Sequence, residues 1–318
     1  MDLLDKITSW YERLLFDPRG VDYFFIGLLS PFALLYATYM FLRRLLILKK
    51  SYGVPIISIG NIIIGGSGKT PFIISLALEL NITNIYIISR GYGRRSRGLV
   101  EVSRDGKILT DIYSSGDEPM LLALALLERR VSVVVSEDRV KAINFAKGRG
   151  AKLIILDDGF NRVNIKKFEI LLFPKNIKNY FPLPAGAFRE IYWTKYFANL
   201  NLKEDIDFKR VVTIKDATER MLLVTAISNP KRLDKFLPKE GVVGKIYLKD
   251  HSFFDIEFLK DKLREFNATS LLVTQKDLVK LEAFQLPISL LNLELEIKDF
   301  VFSEIDLYLR SFGEKIGN

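Results

Sequence analysis

Val54-Pro55-Ile56-Ile57-Ser58-Ile59-Gly60-Asn61-Ile62-Ile63-Ile64-Gly65-Gly66-Ser67-Gly68-Lys69-Thr70-Pro71 decides how the rest of the chain is read. An apolar run ends in a glycine-rich turn, and the turn ends in Lys69 and Thr70 where a helix begins. That order suits a nucleoside triphosphate. Glycines at 65, 66 and 68 let backbone N–H groups approach phosphate oxygens, with Ser67 between them. The helix N-terminus adds partial positive charge, Lys69 adds a full one, and the Thr70 hydroxyl can ligate Mg²⁺. The strict spacing asks for glycine at position 63, where this chain has Ile63.

Outward from this loop, short apolar runs alternate with helical patterns. Strands are predicted at 54–59, 85–89, 131–135, 153–156, 169–173, 211–214, 222–225, 244–248 and 271–274. Helices are predicted at 71–80, 120–127, 139–147, 231–236, 255–266, 276–283 and 304–311. Continuous apolar strands alternating with helices indicate an α/β fold, a P-loop NTPase-type doubly wound sheet. A polar stretch at 199–209 interrupts the pattern. The expected division is an N-terminal membrane-associating segment at 1–50, a P-loop core at 51–220 and a smaller α/β domain at 221–318, whose end can pack back on the core.

The segment 23–42 carries no charged residue and is followed by Arg43, Arg44, Lys49 and Lys50. It is about one bilayer span long. Mixed charge before it and the lack of a small-residue cleavage site after it argue against a signal peptide. Pro31, at its middle, is expected to kink or break a helix. Two readings stay open: a single kinked spanning helix with its basic end inside, or a helical pair lying in one leaflet. Either attaches the chain to a cytoplasmic membrane face, where the basic cluster meets anionic headgroups.

Composition narrows the chemistry. The chain of 318 residues has no cysteine and one histidine, so disulfides, thiol nucleophiles and multi-His metal sites are excluded. Any metal should be a hard, oxygen-ligated ion such as Mg²⁺. A net charge of +9 points to an anionic partner.

Five further stretches carry chemistry. Leu153–Leu156 followed by Asp157 and Asp158 reads as a buried strand delivering acids to the sheet's C-terminal edge, where ligands of such sheets bind. With the loop upstream, these acids are Mg²⁺ candidates. Ser115-Gly116-Asp117-Glu118-Pro119 starts a helix, and its paired carboxylates can also orient a hydroxyl or take its proton. Ser89 to Gly98 packs four arginines among three glycines and Tyr92, either a phosphate-pairing loop or a solvated basic one. Pro182 to Glu190 holds Arg189 in a rigid turn, near a transferring phosphoryl group or in a structural role. His251, the lone histidine, lies in a strand-to-helix connection beside Asp250.

In this order, GNIIIGGSGKTP at 60–71, SRGYGR at 89–94, GDEP at 116–119, SEDR at 136–139, LDDGF at 156–160, LPAGAFRE at 183–190, DH at 250–251 and TQKDLVKL at 274–281 resemble the tetraacyldisaccharide 4′-kinase family, the lipid A 4′-kinases of Gram-negative bacteria. The resemblance runs from the apolar segment almost to the C-terminus. It implies two α/β/α domains with the active site between them and an N-terminal membrane-associating helix. It implies ATP and Mg²⁺ as cofactors, a lipid A precursor as substrate, phosphorylation of its 4′-hydroxyl, and work at the cytoplasmic face of the inner membrane. By the same resemblance Gly65, Gly66, Ser67, Gly68 and Lys69 cradle ATP, and Thr70 with Asp157 or Asp158 serves Mg²⁺. Asp117 and His251 match the catalytic pair. Arg90, Tyr92, Glu118, Arg139, Arg189 and Glu190 match positions for substrate or phosphate contacts. One departure stands out: the family continues DDGF with Gln-His-Arg, whereas Asn161, Arg162 and Val163 follow here.

Two rival expectations remain from the residues alone. A membrane-attached P-loop ATPase would turn ATP over without lipid. A membrane-tethered nucleic-acid binder would explain the charge, but lipid headgroups already account for the basic cluster beside the apolar segment, and no nucleic-acid partner is expected.

Overall fold

The computed structural model describes residues 3–65, 68–227, 230–250, 252–281 and 285–313. Two helices come first, α1 (Leu3–Phe16) and α2 (Asp22–Leu46). The first α/β unit holds β1 (Ile56–Gly60), α3 (Lys69–Glu79), β2 (Ile85–Ser89), β3 (Val100–Arg104), β4 (Lys107–Ile108), α4 (Ile112–Ser115), α5 (Asp117–Ala125), β5 (Ser132–Val135), α6 (Arg139–Gly148), β6 (Leu153–Asp157), β7 (Phe168–Phe173) and β8 (Leu200–Lys203). The second holds β9 (Phe208–Lys215), β10 (Met221–Thr225), β11 (Val242–Tyr247), α7 (Ile256–Glu265), β12 (Ser270–Thr274), α8 (Gln275–Leu278), β13 (Ile288–Ile297) and α9 (Asp299–Arg310).

The large sheet runs β4-β3-β5-β2-β6-β1-β7-β8, parallel from β5 to β8, with β3 and β4 antiparallel at one edge. Every residue of β1, β2, β5, β6 and β7 is buried. Both faces of these strands are therefore covered, which is why they read as unbroken apolar runs. Ile57, Ile59, Ile87 and Val133 pack with α3 and α5, whereas Ile56, Ile88 and Val134 pack with α6.

The second sheet runs β11-β10-β12-β13-β9, parallel except for β9. It starts earlier than the expected boundary at 221, because β9 pairs with β13 along its full length, from Phe208↔Ile297 to Lys215↔Leu290. The near end of this two-stranded ribbon packs on the first unit: Phe208 meets Phe72 of α3 edge-on at 5.7 Å, and Leu295 N–H donates to the Ser75 hydroxyl at 3.2 Å. After β13, α9 returns to the first unit, burying Val301, Ile305 and Leu309 in its core. The Tyr308 hydroxyl meets both the N–H and the carbonyl of Ile56 at 3.1 Å. The expected helix at 276–283 is one short helix, α8, and residues 282–284 lie outside the described residues. The expected helix at 231–236 is a 3₁₀ helix, Pro230–Phe236.

At Pro31 the helix does not break: α2 runs on through it. Proline removes the N–H that would bond the Gly27 carbonyl, and the Ser30 hydroxyl donates to that carbonyl instead, at 2.8 Å. Ile26, Ala33, Ala37 and Arg44 form a buried stripe at helical spacing. Phe24, Leu28, Phe32, Leu35 and Tyr39 are exposed on the remainder. Helix α1 folds back on α2, tied by Trp10 against Phe25 and by the Arg13 guanidinium on Asp22 at 2.9 Å.

Candidate active site

The sheet register assembles the site. Ile59↔Asp157 pairs the ends of β1 and β6, so the glycine-rich loop and the two acids emerge side by side. Asp158 turns back in the left-handed region at φ 53°, a conformation aspartate tolerates, and its N–H donates to the Ile59 carbonyl at 2.9 Å. Gly60 and Gly159 make this approach possible. A Cβ at Gly60 would lie 2.9 Å from Phe160 Cβ, and one at Gly159 would lie 2.7 Å from Ser58 Oγ.

Ile63, the departure from the strict loop spacing, has a structural reason. The first half of the loop is zipped to the 187–189 segment. Ile64 N–H donates to the Ala187 carbonyl, and Arg189 N–H donates to the Ile62 carbonyl at 2.7 Å. Ile63 itself is buried in an apolar cluster with Phe188 and Leu171. This zipper carries Arg189 to the acids, where its Nη1 sits 3.1 Å from Asp158 Oδ2. Lys69, on the other side, places its ammonium 3.5 Å from Asp158 Oδ1 and 3.1 Å from Asn61 Oδ1. Gly66 and Ser67 lie outside the described residues.

Asp157 is buried and accepts from the Ser89 hydroxyl at 2.8 Å. Burial pushes its carboxyl up to about 6, with the Glu118 charge adding and Lys69 opposing. A buried carboxylate under that strain is relieved by a cation. Thr70, Asp157 and Asp158 offer the hard oxygen donors that Mg²⁺ prefers. Among the described residues no group of three or more acids or histidines could hold a metal by itself. Mg²⁺ commonly takes one or two carboxylates and completes its shell on phosphate and water, and Asp157 with Asp158 supply two. The residues fit the metal.

Asp117 opens α5, with Gly116 at φ 88° pressed against the Tyr92 carbonyl. Its Oδ2 lies 2.9 Å from Nζ of Lys280, a fully buried side chain arriving from the second unit. Lys280 also donates to the Ser252 carbonyl at 3.1 Å. Lys276 reaches Glu118 at 4.0 Å and Asp250 at 3.7 Å. A cleft walled by Tyr92, Arg95, Tyr113, Asp117 and Phe253 opens beside these pairs. His251 lies outside the described residues.

The remaining candidates divide. Arg90 and Tyr92 are exposed at the cleft side of the sheet edge. Arg139 is buried, and its guanidinium donates to the carbonyls of Ser136 and Asp157, so it braces the strand end that presents Asp157. Burial lowers its ordinary value to about 10. Glu190 is buried as well, with both carboxylate oxygens held by Arg44 of α2 at 2.9 and 2.7 Å. Its expected place among the substrate contacts is thus occupied by a tie to the N-terminal helix. In the arginine-rich loop, Arg94 pairs with Glu137 and Arg95 lies over the Tyr113 ring at 4.6 Å, so both are structural. Arg162, standing where the family has histidine, donates to the Glu137 carbonyl at 3.4 Å.

A family model described as "Tetraacyldisaccharide-1-P 4'-kinase" matches residues 26–202 and 195–309. The chain belongs to the tetraacyldisaccharide 4′-kinase family. Among its relatives, the tetraacyldisaccharide 4'-kinase of Helicobacter pylori is 48% identical over 303 residues, covering 95% of each chain. That of Aliarcobacter butzleri is 44% identical over 316 residues, covering 96% of this chain and 99% of its own. A solved structure, an LpxK of Aquifex aeolicus in complex with ATP, superimposes with a TM-score of 0.72 at 27% identity, covering 89% of this chain and 98% of that one. Within the tetraacyldisaccharide 4′-kinase frame, Lys280 is the residue sequence reasoning passed over. It lies inside the quoted TQKDLVKL stretch, but no local pattern distinguishes a lysine that crosses to Asp117 from a solvated one.

Proposed function

We propose that this kinase transfers the γ-phosphoryl group of ATP, with Mg²⁺, to the 4′-hydroxyl of a tetraacyl glucosamine disaccharide 1-phosphate at the cytoplasmic face of the inner membrane. Family membership supports the reaction. The observation that carries the reading onto this chain's residues is the convergence of Lys69, Arg189, Asp157 and Asp158 at one sheet edge.

Lys69 and Arg189 bring two cations to the acids beside the loop and suit charge on a transferring phosphoryl group. Thr70, Asp157 and Asp158 would hold Mg²⁺, whose chemistry is to neutralise phosphate charge and polarise the transferring group. Asp117 orients the sugar hydroxyl or accepts its proton, and His251 assists as the family resemblance implies. Ser89 and Arg139 fix Asp157 from its side chain and its backbone.

Membrane attachment is supported by the exposed apolar face of α2. One stripe of that helix, Asp22, Ile26, Ala33, Ala37 and Arg44, is buried along its length, which favours lying in one leaflet over crossing the bilayer. Arg43 and Arg44 close its last turn.

The test is phosphate transfer from ATP to the purified disaccharide lipid, comparing the wild type with Lys69→Ala, Asp117→Ala and His251→Ala. Transfer by the wild type and its loss in the variants is expected. No transfer by the wild type overturns the substrate, and full activity of Asp117→Ala overturns the mechanism.

A further inference from the structure

Strand β9 delivers an arginine to the phosphate loop. Side chains alternate along a strand, so Phe208, Arg210 and Val212 share one face. Phe208 packs on Phe72 of α3, and Arg210, two residues on, extends along the start of that helix. A Cβ built on Gly68 would lie 3.2 Å from Arg210 Nη2. Gly68 caps α3 immediately before Lys69, in the left-handed region at φ 78°. Glu204 holds the guanidinium in place, Oε1 at 2.6 Å from Nε, with both side chains mostly buried.

A helix N-terminus disfavours cations, yet Lys69, facing Asp158, and Arg210, facing Glu204, both sit at this one. An anion held at the loop would meet the helix end and both cations together.

We infer that Arg210 contacts the phosphates of the bound nucleoside triphosphate. Arg210 belongs to none of the motifs that carry the family resemblance. The inference rests on the reading of the 60–70 loop as the ATP site. Because β9 is an edge strand of the second sheet, the contact also makes nucleotide binding a link between the two units.

Binding of ATP and of ADP to the full chain, by calorimetry without lipid, tests this separately from catalysis. Arg210→Met is expected to weaken both by about tenfold or more, the scale of a lost charge-assisted contact. Substitution of Arg264, an exposed arginine of α7, by Met is expected to leave both unchanged. The KM for lipid should stay unchanged in Arg210→Met while the KM for ATP rises. Should Arg210→Met fail to fold, Arg210→Gln keeps a hydrogen bond to Glu204 without the charge and carries the same expectation. Wild-type affinity for ATP in either folded Arg210 variant, with only a lowered melting temperature, overturns the inference. Absence of nucleotide binding by the wild type overturns instead the reading of the loop on which it rests.

Discussion

The Lys280 ammonium lies 2.9 Å from the Asp117 carboxylate, joining the proposed proton acceptor of one sheet to a buried cation carried by the other. The pair makes the surroundings of Asp117 depend on how the two units meet. Lys280→Met is expected to lower kcat by about 10²-fold, the lower range of a general acid–base contribution, with little change in ATP affinity. Lys280→Arg should recover part of the loss. Steady-state kinetics with lipid saturating settles it; an unchanged kcat in Lys280→Met removes the pair from the mechanism.

Ser89 supports the proposed Mg²⁺ site without being a ligand. Losing its hydrogen bond to Asp157 should cost roughly 10-fold in metal affinity, the scale at which outer-shell partners act. Asp157→Asn should cost far more. Mg²⁺ titration of transfer by Ser89→Ala and Asp157→Asn, after chelation of the wild type to inactivity, measures both. An equal effect of the two substitutions would place the metal elsewhere.

Arg44 and Glu190 form a fully buried pair between α2 and the turn that holds Arg189. Removing one partner strands the other charge, so Arg44→Met should destabilise the protein by about 3–5 kcal/mol. The double variant Arg44→Met, Glu190→Met should regain most of that, because both charges leave together. Denaturant unfolding of the three variants reads the difference, and additive losses would contradict the pairing.

The exposed face of α2 is expected to set the membrane affinity. Burying one large apolar side chain is worth about 1.5–3 kcal/mol. Replacing both Leu28 and Leu35 by Glu should therefore reduce binding to anionic vesicles by roughly 10²-fold or more, leaving ATP binding intact. Cosedimentation with vesicles tests it. Unaltered binding would move the attachment surface off this helix.

The buried strands of the large sheet were legible because a strand covered on both faces leaves an unbroken apolar run. The hairpin of β3 and β4 was passed over although Asp105-Gly106 sits at its turn; its strands lie at an edge, half exposed, and their apolar signal is dilute. Strand β13 alternates in Leu291-Asn292-Leu293-Glu294-Leu295-Glu296, a period-two pattern with one wet face, unlike the continuous runs that marked its neighbours. At the site, Lys69, Asp157 and Asp158 were readable because loop chemistry and strand ends are local. Arg44 with Glu190, Lys280 with Asp117 and Arg210 with Gly68 join residues far apart in the chain. Only the fold creates such pairs. Pro31 leaves α2 unbroken for a local reason, the Ser30 hydroxyl that satisfies the carbonyl it frees.

Strand β9 carries the chain out of the first unit, antiparallel β13 brings it back in register beside it, and α9 packs on the first unit's core. A joint made of two hydrogen-bonded strands cannot slide one against the other without breaking its ladder, and it resists bending within its own plane. It yields across its flat face. The second unit is therefore hung like a leaf on a strap, and bending across the strap's flat face is the movement its ladder opposes least. Lys280 and Lys276 belong to that leaf and pair with acids of α5, so an opening of the joint would have to break both ion pairs in one movement.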